Sequence, residues 1–308
     1  MEYVYGLLQL FDARSFALAF LIFAPFEFLF PTRKDKGVFR NGWLIDVAHF
    51  FFSAILIRLG IFTAIWAATV VGTKVMPGAV HETIRSIPIW LQVILATLIA
   101  DLGFYLSHRL LHTVPALWRF HAIHHSSEHM DWLASYRVHP VDQVIVQGTS
   151  LVPVFVLGFS EAAIVVAGII YHWQALLIHS NVKLPFGPLK WVFASPEFHH
   201  WHHAVDKEAH DKNFSGQLPL WDMVFGTVHM PPNRMPNAYG VHEPIPDTYI
   251  GQLAYPFRKP EASEQTSGPS HDAGSPAQNG SAASFSSRLP DWTAGQAGPQ
   301  TSVKMATK

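Results

Sequence analysis

Eight histidines lie in three short clusters of this sequence, and their spacing could bring several imidazole rings together. The clusters are His108 with His112, His121 with His124 and His125, and His199 with His202 and His203. Residues three or four apart share one face of a helix, and neutral imidazole is the commonest metal ligand in proteins. Unrelated histidines would not repeat this spacing three times. We therefore predict a metal site, with the rings of each cluster aimed at a common point.

Three further histidines lie close to these clusters. His179 ends an apolar stretch and is a candidate ligand, while His172, seven residues earlier, could be a ligand, a residue that orients one, or a core residue. His139, in Arg-Val-His-Pro, is a further candidate ligand. If residues 199–203 are helical, His200 points about 100° away from His199. We therefore expect that His200 is not a ligand.

A carboxylate precedes the first cluster. Asp101, Tyr105, His108 and His112 form one stripe down a single predicted helix. Ionisable residues at membrane depth are costly and are usually paired or functional, and metal-bound histidines often donate their second ring N–H to a carboxylate. Asp101 is therefore predicted either to orient a ligand or to make a structural hydrogen bond between helices.

The number of histidines indicates two metal ions. One ion holds about four to six ligands, fewer than the eight to ten histidines available here. The His-Glu-x-x-His pattern of metalloproteases is absent. A carboxylate di-iron bundle needs Glu-x-x-His on two helices, and this chain has one such match, Glu197 with His200. Ligand preference alone leaves iron, zinc and copper open.

The composition indicates a membrane protein. Hydrophobic residues make up 49% of the 308, the mean hydropathy is +0.19, and charged residues make up 14%, against about 25% in soluble domains. A net charge of −1 gives no reason to expect a nucleic acid partner. The absence of cysteine excludes disulfides, thiolate metal sites and thiolate nucleophiles.

Apolar stretches close to the roughly 20 residues that cross a bilayer recur along the chain. They cover residues 15–31, 44–71, 88–106, 141–158 and 160–179. The second is overlong and contains Asp46, His49 and Arg58, so we expect it to be tilted, broken or partly interfacial. The last two meet at Gly158-Phe159-Ser160 and are predicted to form a helical hairpin. The expected fold is all-α, a polytopic membrane helical bundle with a cytoplasmic, helical, histidine-rich di-metal site.

Charge asymmetry predicts which side of the membrane carries the site. Arg33, Lys34, Lys36 and Arg40 follow the first apolar stretch, and loops rich in Lys and Arg are usually cytoplasmic. The N-terminus lacks the basic start of a cleaved signal peptide, so the first stretch is expected to remain as an anchor. Counting crossings then brings all three clusters to the cytoplasmic side of a bacterial inner membrane or of the endoplasmic reticulum.

The C-terminal part of the sequence differs from the rest. From about Glu261 the chain is rich in Ser, Gly, Ala, Pro and Gln and poor in apolar residues. Such a composition cannot bury enough surface to fold. We therefore predict a membrane-embedded domain over residues 1–259 and a disordered tail over residues 260–308.

Taken with their surroundings, the clusters resemble the three histidine boxes of the sterol desaturase and fatty acid hydroxylase superfamily. The matching segments are His108-Arg-Leu-Leu-His112, Trp118-Arg-Phe-His121-Ala-Ile-His124-His125 and Phe198-His199-His200-Trp201-His202-His203, with Arg137-Val-His139-Pro140, His179-Ser-Asn181, Asn213-Phe-Ser-Gly216, Trp221-Asp222 and Phe225-Gly-Thr227 around them. The resemblance covers roughly residues 20–230. One departure is Ala175, where some fatty acid hydroxylases have a further histidine.

This resemblance implies an integral membrane oxidoreductase. Such an enzyme would use two non-haem iron ions and O2 to hydroxylate or desaturate a lipid, such as a sterol or a fatty acyl lipid. The implied metal ligands are His108, His112, His121, His124, His125, His199, His202 and His203, completed by His179 and His139. No dinucleotide fingerprint or haem motif is found in the sequence. Electrons would therefore come from a separate reductase or a cytochrome- or ferredoxin-type carrier.

Two other function classes remain open at this point. A membrane metal-ion transporter would also carry histidines among its helices, but transporter sites lie near the middle of the bilayer, whereas these clusters follow the ends of the apolar stretches. A metal-binding storage protein would have a histidine-rich tract in a disordered segment. The predicted tail contains only His271.

Overall fold

The described residues form a helical protein. The computed structural model describes residues 13–34, 37, 39–232 and 234–258, and these residues contain no β-strand, only two isolated bridges. The α-helices are α1 Ala13–Leu29, α2 Trp43–Ala48, α3 Ala54–Val75, α4 Gly78–Ser86, α5 Ile89–Thr113, α6 Pro115–His125, α7 Pro140–Leu157, α8 Glu161–His179, α9 Pro196–His202, α10 Leu220–Phe225 and α11 Tyr249–Ala254. The predicted disordered tail, residues 260–308, lies outside the described residues.

The described part has four helical runs long and apolar enough to cross a membrane. These are Trp43–Val75, Ile89–Thr113, Pro140–Leu157 and Glu161–His179. They confirm the predicted all-α fold with several membrane-capable helices. The first apolar stretch forms α1, with 17 residues, and its role as a membrane anchor stays a prediction.

The overlong second stretch is one continuous helical run with an irregular section. A π-helical segment, His49–Ser53, joins α2 to α3. The His49 ring lies within hydrogen-bond distance of the Val138 carbonyl, at 3.1 Å, and of the Gln252 amide oxygen, at 2.8 Å. π segments occur mostly as single bulges inside α-helices, frequently at functional sites. Here the bulge turns a histidine inward within an otherwise apolar helix.

The predicted helical hairpin is confirmed by its turn chemistry. α7 begins with Pro140, whose fixed φ suits the first turn of a helix. It ends at Gly158, which has a φ of 80°, and a Cβ there would lie 2.6 Å from the His81 ring. Ser160 then caps α8 by accepting a hydrogen bond from the Ala163 amide. The two long helices therefore return the chain to the side from which it came.

α7 is the central helix of the bundle. It packs along α3 and α5, and α5 also packs against α6 and α8. The approach of α5 to α7 depends on Gly103, because a Cβ there would meet the backbone of Thr149, with the carbonyl carbon 2.8 Å away. Helix backbones can approach closely where a side chain is missing. α5 carries the first histidine cluster, so this contact helps to position the site.

We expect Gly103→Ala to lower thermal stability, because the added methyl group must push two helix backbones apart. Overpacking a well-packed interface costs about 1–3 kcal/mol. Gly148→Ala on α7 is the matched control, since its Cβ would meet nothing within 4 Å and alanine favours a helix by about 0.5–1 kcal/mol over glycine. Thermal unfolding of the detergent-purified variants measures both. An equal or higher melting temperature for Gly103→Ala than for Gly148→Ala would contradict the assigned helix contact.

The two ends of the bundle differ in chemistry. At one end, the hairpin turn meets α4, with the His81 ring 3.0 Å from the Val156 carbonyl. The loop after α1 lies at the other end, where Pro31 forms a bridge with Val182, just beyond the end of α8. The three histidine clusters belong to this second end, because α5 and α8 both reach it at their C-termini.

Candidate metal centre

Nine of the ten predicted ligands come together in two groups of histidines. The first group is His108, His112, His121, His125 and His202; the second is His124, His179, His199 and His203. Within each group, one ligand atom from every residue lies within 4.8 Å of all the others. The rings come from the C-terminal ends of α5 and α8 and from the short helices α6 and α9. Imidazole sets of this size and spacing could each hold a metal ion.

The groups do not coincide with the sequence clusters, and the prediction of one common point for each cluster is wrong. His121 and His125 join the first group, while His124 joins the second. Likewise, His202 joins the first group and His199 and His203 the second. Residues four apart differ by about 40° around a helix, whereas the residue at the third position lies about 60° to the other side. α6 and α9 therefore each divide their rings between two points.

The two groups adjoin one another. The rings of His125, of the first group, and His203, of the second, are stacked with centroids 4.3 Å apart, and those of His202 and His203 are 5.2 Å apart. The His108 and His202 rings, both of the first group, are 4.4 Å apart. Ions held by the two groups would therefore be close neighbours.

Hydrogen bonds hold two rings of the first group, His108 and His121, with one nitrogen free. His108 donates from Nδ1 to the Phe214 carbonyl at 2.6 Å, and His121 donates from Nδ1 to the Asp142 carboxylate at 2.6 Å. A neutral ring that donates from Nδ1 has a lone pair on Nε2. The Nε2 atoms of His108 and His121 face each other at 2.9 Å. Two lone pairs repel at that distance unless a cation lies between them.

Two rings of the second group, His124 and His179, follow the same rule. His124 donates from Nδ1 to the Arg137 carbonyl at 3.2 Å, and His179 donates from Nδ1 to the Ala175 carbonyl at 2.7 Å. Their Nε2 atoms face each other at 3.2 Å, and the Nε2 of His199 lies 2.9 Å from that of His179. Ligand histidines typically give their other N–H to a carbonyl or a carboxylate, which is the arrangement seen here.

The protonation and burial of the rings fit a metal cation. Burial, with repulsion from neighbouring histidines, lowers the pKa of His124 to about 3, and burial lowers the pKa of His202 to about 4. Both rings are therefore neutral at physiological pH, as metal ligation requires. In addition, Nε2 of His112 is buried without a hydrogen-bond partner among the described residues. A bare buried nitrogen costs about 1–3 kcal/mol, which a bound cation would remove.

Asp142 is a site residue that the sequence reasoning missed. It lies in the first turn of α7, is buried, and touches the first group through His121. A sequence signal was present, because Asp142 is an ionisable residue in an apolar stretch, as Asp101 is.

The prediction that Asp101 orients a ligand directly is wrong. Its carboxylate accepts hydrogen bonds from the amides of Gly216, Gln217 and Leu218, at 2.8 to 3.1 Å. The same loop provides the Phe214 carbonyl that accepts from His108. Asp101 therefore shapes a loop. The predicted alternative, a structural hydrogen bond, describes this better, except that Asp101 binds a loop and not a second helix.

Three histidines near the clusters stay outside both groups. His139, a predicted ligand, is corrected: Nδ1 accepts from the Val141 amide at 3.1 Å and Nε2 donates to the Leu253 carbonyl at 3.2 Å. It caps α7 instead. His200 donates to the Ser180 carbonyl and accepts from the Tyr239 hydroxyl, so both of its nitrogens have partners within the protein. That it is not a ligand stays a prediction. His172 is buried outside the groups.

An apolar cavity opens onto both groups. It is lined by one stripe of each of the helices α3, α5, α7 and α8. At its end near the clusters it reaches His108 and His121 of the first group and His124, His179 and His199 of the second. Small-molecule sites are typically concave, largely apolar and furnished with a few convergent polar groups. The cavity could therefore bring an apolar molecule from the membrane region to the metal groups.

Comparisons with known proteins agree with this site. Residues 93–227 match the fatty acid hydroxylase family model. The chain is 30% identical over 241 residues to the ornithine lipid hydroxylase OlsE of Rhizobium tropici, covering 77% of this chain and 73% of that protein. It is also 32% identical over 152 residues to the alkylglycerol monooxygenase of Homo sapiens, covering 47% of this chain and 32% of that protein. No solved structure matches the chain significantly.

The matched region contains all nine histidines of the two groups and the Asp142 carboxylate. The relatives named above are a hydroxylase and a monooxygenase, which are oxidoreductases. This chain therefore belongs to the fatty acid hydroxylase family of the sterol desaturase superfamily, and it is a membrane oxidoreductase.

Proposed function

We propose that this protein hydroxylates a membrane lipid, using two iron ions held by its two histidine groups. The observation that carries the proposal is that both groups open onto one apolar cavity among membrane-capable helices. A water-poor cavity suits oxidation of an unreactive C–H bond, because it keeps solvent from reactive species. The names of both relatives favour hydroxylation over desaturation.

The chain's own residues hold and orient the site. Three carbonyls and the Asp142 carboxylate fix the tautomers of four of the rings, so that their free nitrogens converge. When bound, the iron ions would supply the activation of O2, which is chemistry that protein side chains lack. The net reaction converts a C–H bond, O2, two electrons and two protons into a C–OH group and water. A separate electron-carrier protein would supply the electrons.

The test is an untargeted lipid analysis by mass spectrometry. Cells that express the chain should gain a lipid with one additional oxygen atom, and cells that express His203→Ala should not. A lipid that loses two hydrogen atoms instead would identify a desaturase. Metal movement across the membrane without any O2-dependent change in lipids would contradict the proposal and favour a transporter.

We further propose that the metal site faces the cytoplasm. Arg33 and Arg40 lie in the loop at the end of the bundle that carries the histidine groups, and basic loops are usually cytoplasmic. Because the chain has no cysteine, single cysteines report sidedness without background. In intact cells, a membrane-impermeant maleimide should label Glu82→Cys, on α4, and should label Lys207→Cys only after permeabilisation. The reverse pattern would place the site on the opposite side.

A further inference from the structure

The cavity extends well beyond the histidine groups. On α5, the lining runs from His108 back to Ala96, about 12 residues or about 18 Å along the helix axis. On α8, it runs from His179 back to Ile164, about 15 residues or about 22 Å. The lengths measured along α5 and along α8 therefore agree on the depth of the cavity.

Packed apolar side chains lie at the far end of the cavity. Ala96, Val154 and Ile164 line it there and are buried in one cluster, which also contains Phe159. We call Ala96, Val154 and Ile164 the cavity floor. Phe159, in the hairpin turn, does not line the cavity but packs in the same cluster. The floor is therefore supported from the turn between α7 and α8.

Between the two ends, the lining suits a hydrocarbon chain. Ile57, Ile61 and Ile65 provide an apolar stripe on α3. Several polar side chains line this stretch as well. Among them, Gln147 donates to the Tyr171 hydroxyl at 3.2 Å and Ser150 donates to the Val146 carbonyl at 2.8 Å, so these groups have partners within the protein. An alkyl chain needs no hydrogen-bond partner, whereas a polar group buried here without one would be destabilised.

We propose that this cavity binds a single alkyl chain of the lipid substrate, and that the cavity floor limits how many carbons extend beyond the oxidised carbon. Each carbon of an extended chain advances about 1.3 Å, so a depth of about 18–22 Å holds roughly 14–17 carbons. The inference rests on the proposed function for the identity of the substrate, but the binding of the chain is testable without turnover.

The test uses two floor variants with opposite expected effects. Ala96→Leu raises the floor and should shorten the longest retained chain by about two to three carbons, because the larger side chain fills several ångströms of the cavity. Ile164→Ala lowers the floor and should lengthen it by a similar number. The control is Ala162→Leu, an exposed position on α8 outside the lining, which should change nothing. Opposite shifts cannot arise from a general loss of folding.

The measurement is native mass spectrometry of the purified full-length protein after incubation with an equimolar series of saturated monoacylglycerols of increasing chain length. Opposite shifts in the retained lengths support the inference, even if no hydroxylated product is ever found. The same retained lengths in all variants, or a shift of one sign in both, overturn it. Product formation in cells with unchanged retained lengths would overturn the inference and leave the proposed function standing.

Discussion

Single alanine substitutions between residues 199 and 203 should remove different metal ions. His202→Ala should empty the first group and retain the ion of the second, whereas His199→Ala or His203→Ala should do the reverse. The reason is that α9 divides its rings between the two groups. Losing a residue that only orients a ligand weakens metal affinity or activity by about 10- to 100-fold, and losing a ligand should cost at least as much. All three variants should be nearly inactive.

His200→Ala is the control within the same five residues. Both nitrogens of His200 are occupied, by the Ser180 carbonyl and the Tyr239 hydroxyl. The substitution breaks two buried hydrogen bonds, so we expect a lower melting temperature, by the loss of about 1–3 kcal/mol for each partner left unsatisfied. Metal bound per folded chain should stay at the level of the unsubstituted protein.

Metal content by elemental mass spectrometry, divided by the amount of folded protein, distinguishes these cases. The double variant His202→Ala with His203→Ala should retain neither ion. Equal metal loss in His200→Ala and the other three would favour a folding or general electrostatic role for the cluster. Full activity of His199→Ala, His202→Ala or His203→Ala would contradict the ligand assignment.

Asp142→Asn should weaken metal binding by about 10- to 100-fold while every histidine remains in place. The carboxylate accepts the Nδ1–H of His121 at 2.6 Å, which holds the tautomer that leaves Nε2 free for metal. Asparagine can accept a hydrogen bond but lacks the negative charge, so it makes Nε2 a weaker donor to the metal. Titration of the metal-free protein with Fe(II) under anaerobic conditions measures the change in affinity.

Asp101→Asn is the matched control, another buried carboxylate on a membrane-capable helix. Its oxygens accept from three loop amides and from no histidine ring. Replacing one oxygen by an amide group removes at least one acceptor, so thermal stability should fall more than in Asp142→Asn, and metal affinity should fall less. The opposite order would show that Asp101, and not Asp142, controls the ligand set.

Local sequence was sufficient to predict the helices and the candidate histidines. Proline at the start of α7, glycine at its end and the serine cap of α8 act within a few residues of one another, so the hairpin was predictable. Helical periodicity likewise singled out the candidate histidines of each cluster and set His200 apart from His199. Such features depend on the backbone geometry of one segment, which the residues of that segment largely determine.

The assignment of each ring to a metal group depended on tertiary packing. Nothing in residues 121–125 indicates that His124 turns toward His179, because that choice depends on where α8 ends relative to α6. His139 was misassigned for a similar reason. Its partner, the Leu253 carbonyl, lies more than a hundred residues away in the sequence.

The acceptors that hold the rings were also beyond the sequence. Phe214 and Arg137 act through backbone carbonyls, which every residue has, so their side chains carry no signal of this role. Asp101 and Asp142 are both acidic residues in apolar stretches, and sequence could not distinguish the one that meets a histidine ring from the one that meets a loop. Spacing along one helix determined which rings could converge, and contacts between distant segments decided where they did so and what holds them.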